Sequence, residues 1–578
     1  MGSLQTVHCG AHAAAVEAAL ARLDTQQFMR RLWTGDASLW SAEPATQSLI
    51  SQRLGWLTIP RVMAKEADAL RRFAEDVRGA GLTHVFLLGM GGSGLFSEVC
   101  RHTFGIAAGH PDLVVLDTTD PTAIREQQRR CPVERLLVIV SSKSGSTSET
   151  SALSKYFYEA LKSADGHPGA HCLAITDAGT PLEAQANAWR FRRVFAHGPG
   201  RGADVGGRFS ALTAFGLVPA ALMGVDAAAL LRRADDMFSR CGPDAPILDN
   251  PAAQLGAVLG ALAPRGFDKL TLVCAPALAS VGTWIEQLIA ESLGKGGRGI
   301  APICAEPVRE PAAYASDRVF VELQIASRLD GAMDRQIRAL EQAGHPVVRI
   351  RWDDPYDLGG EVAKWCLATA VAGALLRVNP FDEPNVQESK DRTKALLEQR
   401  AREGRFLDEE EPLFSDAELA VYGTAAGWSA SASLTRRLSE FFKRLRPSDY
   451  IALLSFLPRT TALDRLTAAL RERLARETAH ATMLGFGPRY LHSTGQLYKG
   501  GPDAGIFLLF TGDEPEDLAI PGEPFSFGVL KHAQALGDFQ AMRERGRRIL
   551  RIHLRGNLDQ SMERLARTIS EISGGLDI

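Results

Sequence analysis

The chain has 578 residues, 45% of them hydrophobic and 23% charged, which is too long for one core and predicts two to four globular domains. Lys and Arg number 65 against 68 Asp and Glu, a formal charge of −3, so nothing in the balance favours nucleic acid or an anionic membrane as a partner. The eight cysteines (9, 100, 131, 172, 241, 274, 304 and 366) form no close pair, which excludes a zinc knuckle or disulfide framework and suits a reducing compartment.

Residues 13–23, 46–54 and 67–79 read as helices. Strand and helix signals then alternate, with apolar runs at 84–88, 113–116, 136–140 and 172–175. Such alternation predicts a doubly wound parallel sheet. A second αβ block starts near residue 250, with strands expected at 270–273, 319–323 and 347–350 and a helix over 361–376. Residues 401–432, acidic around 408–411, read as a connector with some helix. A third block follows, with strands at 450–456, 505–510 and 549–554 and a helix over 462–477. The arginine-rich helix 435–444 reads as a solvated amphipathic surface. No internal repeat or low-complexity segment is evident. The N-terminus lacks a basic segment leading into an apolar one, and no apolar run reaches membrane-spanning length, so a cytoplasmic protein is expected.

The most informative stretch follows the run at 136–140. Of the ten residues 141–150, seven carry a hydroxyl, with one lysine and one glycine among them, and a helical pattern comes next. Strand, hydroxyl-rich turn and helix N-terminus together make a phosphate cradle; the plainer reading is a Ser/Thr loop with an N-cap. Upstream, Gly89, Gly91 and Gly94 satisfy G-x-G-x-x-G, with Asp117 at the end of the next strand, so a dinucleotide site is a rival. Gly92 and Ser93 inside that turn suit a sugar phosphate better than a pyrophosphate.

Two further pieces carry charge. Gly206-Gly207-Arg208 sets a planar cation beside adjacent glycines, where it can meet a developing oxyanion. If residues 284–293 are helical, Gln287 and Glu291 lie at i and i+4 on one face, and a partly desolvated glutamate there can act as a base. A surface arginine and a surface glutamate are the structural alternatives.

These motifs, in this order, resemble the glucose-6-phosphate isomerase family with its tandem sugar-isomerase fold. The likeness is nearest to the isomerase half of bacterial transaldolase/glucose-6-phosphate isomerase fusions and runs over about 52–554. It is carried by Gly89-Met90-Gly91-Gly92-Ser93, Ser141 to Thr150, Gly206 to Ser210, Glu291-Ser292-Leu293-Gly294-Lys295, and the stretch from Phe381-Asp382-Glu383 to Lys390. No (β/α)₈ barrel fits before Gly89, so a transaldolase half is expected to be absent.

The resemblance implies an α/β chain of αβα sandwiches with parallel sheets. It would comprise an N-terminal helical segment (1–60), a first sugar-isomerase domain (61–245), a second (246–400) and a C-terminal αβ domain (401–578). It implies that Ser93, Ser142, Lys143, Ser144 and Thr147 hold the phosphate, with Ser146, Gly92 and Gly207 nearby. Arg208 would stabilise an enediolate, Glu291 would shuttle the proton between C2 and C1, and Gln287 would lie beside the substrate. Lys390 would assist at the ring oxygen or a hydroxyl. No metal or organic cofactor is implied, the partner would be a small sugar phosphate, and a homodimer is open.

Two departures stand out. The family's ring-opening histidine follows the glutamate in a His-x-x-x-Gln-Leu-x-His-x-Gly context, yet residues 302–326 contain no histidine. The nearest echo is His492-Ser493-Thr494-Gly495-Gln496-Leu497-Tyr498-Lys499-Gly500, so His492 is the expected ring opener and His345 a weaker candidate. Glu383 stands where the family has glutamine. The expected reaction is interconversion of D-glucose 6-phosphate and D-fructose 6-phosphate. Mannose 6-phosphate as a second substrate, a non-catalytic sugar-phosphate regulator and a nicotinamide-dependent dehydrogenase are the alternatives.

Overall fold

The computed structural model describes residues 3–200, 202–406, 411–424, 433–514 and 516–573. The acidic centre of the expected connector and residues 425–432 lie outside the described residues. The chain divides into two compact units, one made of Met1–Asp117, Arg130–Pro311 and Ser316–Asp382, the other of Thr118–Arg129, Ala312–Ala315 and Glu383–Ile578.

In the first unit, strand β1 (Leu4–His8) and a set of helices precede β2 (His84–Leu88), helix α1 (Leu95–Phe104), β3 (Asp112–Leu116), β4 (Leu136–Ser141), helix α2 (Ser148–Asp165), β5 (Cys172–Asp177) and β6 (Arg193–His197). β2 to β6 form one all-parallel sheet in the order β3-β2-β4-β5-β6. β4 is buried at every position, as the branched apolar run requires of a strand covered on both faces. A second sheet takes β7 (Lys269–Cys274), β8 (Ala301–Cys304), β9 (Arg318–Ile325) and β10 (Val347–Trp352), with helix α3 (Ala279–Leu293) after β7 and helix α4 (Asp357–Leu376) after β10. Its order is β1-β10-β9-β7-β8, parallel except for β1, which pairs antiparallel with β10. Side chains of both sheets and of the intervening helices share one continuous apolar core.

The second unit begins with helix α5 (Pro384–Glu403) and holds a sheet of β11 (Phe414–Ser415), β12 (Leu419–Tyr422), β13 (Tyr450–Ser455), β14 (Ala481–Phe486), β15 (Gly505–Gly512) and β16 (Arg548–Leu554). The short helix α6 (Gly495–Gly500) lies between β14 and β15, and α7 (Phe527–Glu544) between β15 and β16. The order is β11-β12-β16-β15-β13-β14, parallel from β16 to β14 and antiparallel at β11 and β12. Its core is separate and built on β12, β13, β15, β16 and the helices over them. The helix expected at 435–444 spans Leu434–Phe442 and is not merely a solvated surface, because Leu434, Leu438, Phe441 and Phe442 all enter this core. No helix among the described residues is long and apolar enough to cross a membrane.

Candidate active site

β2 and β4 are register neighbours, Leu88 opposite Val140, so the turns that follow them emerge side by side at the carboxyl edge of the sheet. Ser141 Oγ donates to the Ser93 carbonyl at 2.7 Å and ties the two turns together. The turn at 91–93 also packs backbone to backbone on the segment that carries Arg208. A Cβ on Gly92 would lie 2.0 Å from the Gly207 carbonyl oxygen, so only glycine fits there. Ser210 Oγ donates to that same carbonyl at 2.6 Å.

The hydroxyl-rich loop keeps part of its polarity for itself. Ser142 is buried, with its hydroxyl 3.0 Å from Thr147 Oγ1, while Ser144 and Ser146 are exposed and share a hydrogen bond of 3.1 Å. Gly145 takes φ +66°, and a Cβ there would run 2.7 Å from Thr180 Cβ, so the tight turn is also a close approach. Thr147 is the N-cap of α2, its side chain makes no cap bond, and the positive helix end lies at the loop.

Lys143 lies in the same loop, with its ammonium engaged by protein groups. Nζ donates to both Asp177 carboxylate oxygens, at 2.8 and 2.7 Å, and to the carbonyls of Gly202 and Ala203. Burial lowers the lysine pKa and raises that of Asp177; both shifts have the one cause, removal of a charged pair from water. The ammonium is committed to closing the loop onto the end of β5.

Arg208, Gln287 and Glu291 are brought together inside the first unit. All three are buried. Arg208 Nε donates to Ser292 Oγ at 2.7 Å, and Nη2 donates to the Pro380 and Asp382 carbonyls at 2.7 and 2.9 Å. Nη1 lies 3.4 Å from Glu291 Oε1. Gln287 Nε2 donates to the other carboxylate oxygen at 3.1 Å, as the i, i+4 spacing on α3 requires. Phe209 stacks on Trp56 at 5.4 Å and meets Phe381 at the same centroid distance, so the arginine turn is packed against the segment whose carbonyls it binds. The arrangement brings a carboxylate, a fixed planar cation and an amide together, a combination able to support proton transfer next to a developing oxyanion.

Lys390 and His492 belong to the second unit. Lys390 sits exposed on α5, and His492 is half-buried at the end of the short turn Arg489–His492. His345 is half-buried against Phe320, ring centroids 5.3 Å apart, and burial holds its imidazole below the ordinary value.

Three contributors were not foreseen. Ser292 and Lys295 stand in the Glu-Ser-Leu-Gly-Lys motif itself; the first orients Arg208, and the second donates to the Asp382 side chain at 2.7 Å. The motif was the available signal, although it gives no partner for either. Asp177 carried none beyond its place at a strand end. Among the described residues no group of three or more His, Cys, Asp or Glu is placed to hold a metal ion.

The phosphoglucose isomerase family model matches residues 54–298, a span that includes the glycine turn, the hydroxyl loop, Arg208, Gln287 and Glu291 and stops short of Lys390 and His492. A glucose-6-phosphate isomerase of Rubrobacter xylanophilus is 31% identical over 405 residues, 61% of this chain and 91% of that protein. One from Streptococcus pyogenes is 29% identical over 399 residues, covering 60% and 87%. Among solved structures, a hypothetical protein of Thermus thermophilus aligns with a TM-score of 0.59 at 24% identity, over 68% of this chain and 99% of that one. A glucose-6-phosphate isomerase of Chlamydia trachomatis aligns at 0.52 and 18%, over 65% and 78%. With the motifs, the buried Arg208–Glu291 arrangement and a relative matched over nearly its whole length, the chain belongs to the phosphoglucose isomerase family.

Proposed function

We propose that this chain is an isomerase that interconverts D-glucose 6-phosphate and D-fructose 6-phosphate through a cis-enediolate. The observation that carries the reading is the buried convergence of Glu291, Arg208 and Gln287, with Glu291 Oε1 3.4 Å from the guanidinium. Glu291 takes the proton from C2 of the open-chain aldose or C1 of the ketose and returns it to the neighbouring carbon. The negative charge left on the enediolate oxygens is met by Arg208, which is already oriented by Ser292 and two backbone carbonyls and need not reorganise during the step. Ser93, Ser142, Ser144, Ser146, Thr147 and the N–H groups at the start of α2 bind the phosphate. Gly92 and Gly207 let the two turns close around it, and Lys143 acts through the shape of the loop. His492 and Lys390 are assigned to opening the cyclic sugar: the bond between the anomeric carbon and the ring oxygen breaks, a proton is delivered to the ring oxygen, and the anomeric hydroxyl gives up its proton as it becomes the carbonyl.

The test is isomerase turnover of fructose 6-phosphate, read as glucose 6-phosphate by a coupled dehydrogenase, with Glu291→Gln alongside. The reading expects wild-type turnover and a mutant slower by about 10³-fold or more, with sugar-phosphate binding kept. Equal turnover in the two would remove Glu291 as the base.

A further inference from the structure

In the second unit the motif around His492 contains a glutamine and a lysine that the proton-transfer step does not use, and both are fully buried: Gln496 at 0% and Lys499 at 1% exposure. A lysine taken out of water at such cost needs a partner. Its Nζ donates to Asp538 Oδ1 at 2.6 Å, and Asp538, on α7, is itself 0% exposed. The same carboxylate accepts the Tyr490 hydroxyl at 2.7 Å through Oδ2 and the Ser389 hydroxyl at 3.2 Å through Oδ1. Burial and the adjacent carboxylate push the Tyr490 phenol well above its ordinary value, so it stays a donor.

The sequence positions of these donors give the network its meaning. Tyr490 lies two residues before His492 on the same short turn. Ser389 immediately precedes Lys390, on the buried stripe of α5 with Asn385, Val386, Thr393 and Leu396, so Lys390 is rotated about 100° from it toward the open face. Gln496 adds a second clasp between the same elements. It accepts the Asn385 backbone N–H at 2.9 Å, and the two side-chain amides meet at 2.7 Å. Arg547 Nη2 holds the far end of α6 through the carbonyls of Lys499 and Gly501.

We propose that Asp538 is a positioning residue for ring opening, holding the His492 turn and the Lys390 helix in one fixed relation through Tyr490, Lys499 and Ser389. The inference rests on the assignment of His492 and Lys390 made above. It gives the buried lysine and glutamine of the motif a role through their bonds to Asp538 and Asn385. A fully paired buried network fixes one arrangement, and a broken one leaves an uncompensated charge.

Tyr490→Phe removes one hydroxyl and keeps the ring, so it tests the network with little risk to folding. It is expected to lower kcat on cyclic fructose 6-phosphate by about tenfold while KM stays within about threefold, and to cost nothing further in a His492→Ala background. The pair Lys499→Met with Asp538→Leu leaves no unpaired charge and is expected to show the same pattern. An unchanged kcat in Tyr490→Phe, or the same fractional loss with and without His492, overturns the positioning role. A His492→Ala enzyme with normal turnover overturns the ring-opening assignment itself and the proposal with it, and that result is read from the single variant.

Discussion

The Arg208 guanidinium lies 3.4 Å from the Glu291 carboxylate, and the rest of that guanidinium is bonded to Ser292 Oγ and to the carbonyls of Pro380 and Asp382. The cation is thus fixed by neutral acceptors on one side and presented to the carboxylate on the other. The hydroxyl and the two carbonyls orient the cation without themselves carrying a charge that would neutralise it. The fork decides the residue type, because three acceptors reached at once through Nε and Nη2 suit a guanidinium and not an ammonium.

Arg208→Lys is therefore not a conservative change. The ammonium keeps the charge but cannot reach Ser292 and both carbonyls at once. We expect kcat to fall by about 10²-fold or more with KM little changed, since the lost interaction belongs to the transition state. Steady-state kinetics on fructose 6-phosphate decide it, and a variant affected mainly in KM would place Arg208 in ground-state binding instead.

Gly92→Ala tests the contact between the two turns. With the new Cβ 2.0 Å from the Gly207 oxygen, one turn must move, and the Arg208 segment moves with it. We expect at least a tenfold loss in kcat/KM together with a lower Tm, because backbone cannot yield as a side chain can. Gly207→Ala, whose Cβ meets nothing within 4 Å, is the control for the turn contact and should leave the Tm unchanged.

Lys143 and Asp177 should behave as one unit. If the ammonium serves to close the loop, Lys143→Met and Asp177→Asn each weaken sugar-phosphate binding, and the double variant is no worse than the poorer single one, with a coupling of about 1 kcal/mol. If instead the ammonium held phosphate, Asp177→Asn would free it and tighten binding. Titration of fructose 6-phosphate into the three variants separates these outcomes.

The parts legible in the sequence were those with dense local signals. Branched apolar runs located β2, β4 and β5 within a residue or two, and the glycine and hydroxyl turns marked where the parallel strands end. The parts that were not legible depend on distant pairing. β1 is a mostly exposed edge strand joined to β10 across more than 300 residues, and β8 is four residues long with a proline inside it. β9 carries Arg318, Glu322 and Gln324 fully buried, because Arg318 reaches Glu306 and Thr271 while Glu322 meets Arg351. Charge in a strand is tolerated once such partners exist, and a sequence does not disclose them. In the site, the residue types were readable one by one. The commitment of Lys143 to Asp177 and of Arg208 to Ser292 and residues 380–382 was not, since each contact joins segments dozens to more than a hundred residues apart.

The last prediction concerns acid stability. Burial holds the His345 imidazole below its ordinary pKa of about 6.5, so the folded chain refuses a proton that the unfolded chain accepts. Between the lowered value and about 6.5 the unfolded state binds more protons, and stability rises with pH across that window. This histidine's contribution is complete above about pH 6.5 and is lost as the pH falls below it. His345→Gln removes the titration while keeping a polar side chain of similar reach. The variant's Tm is expected to fall less than the wild type's between pH 7.5 and pH 5.5, by on the order of 1 °C, with turnover at pH 7.5 within about twofold. A parallel loss of Tm in both proteins would show that this imidazole does not titrate with folding, and a large loss of turnover would return His345 to the catalytic candidates.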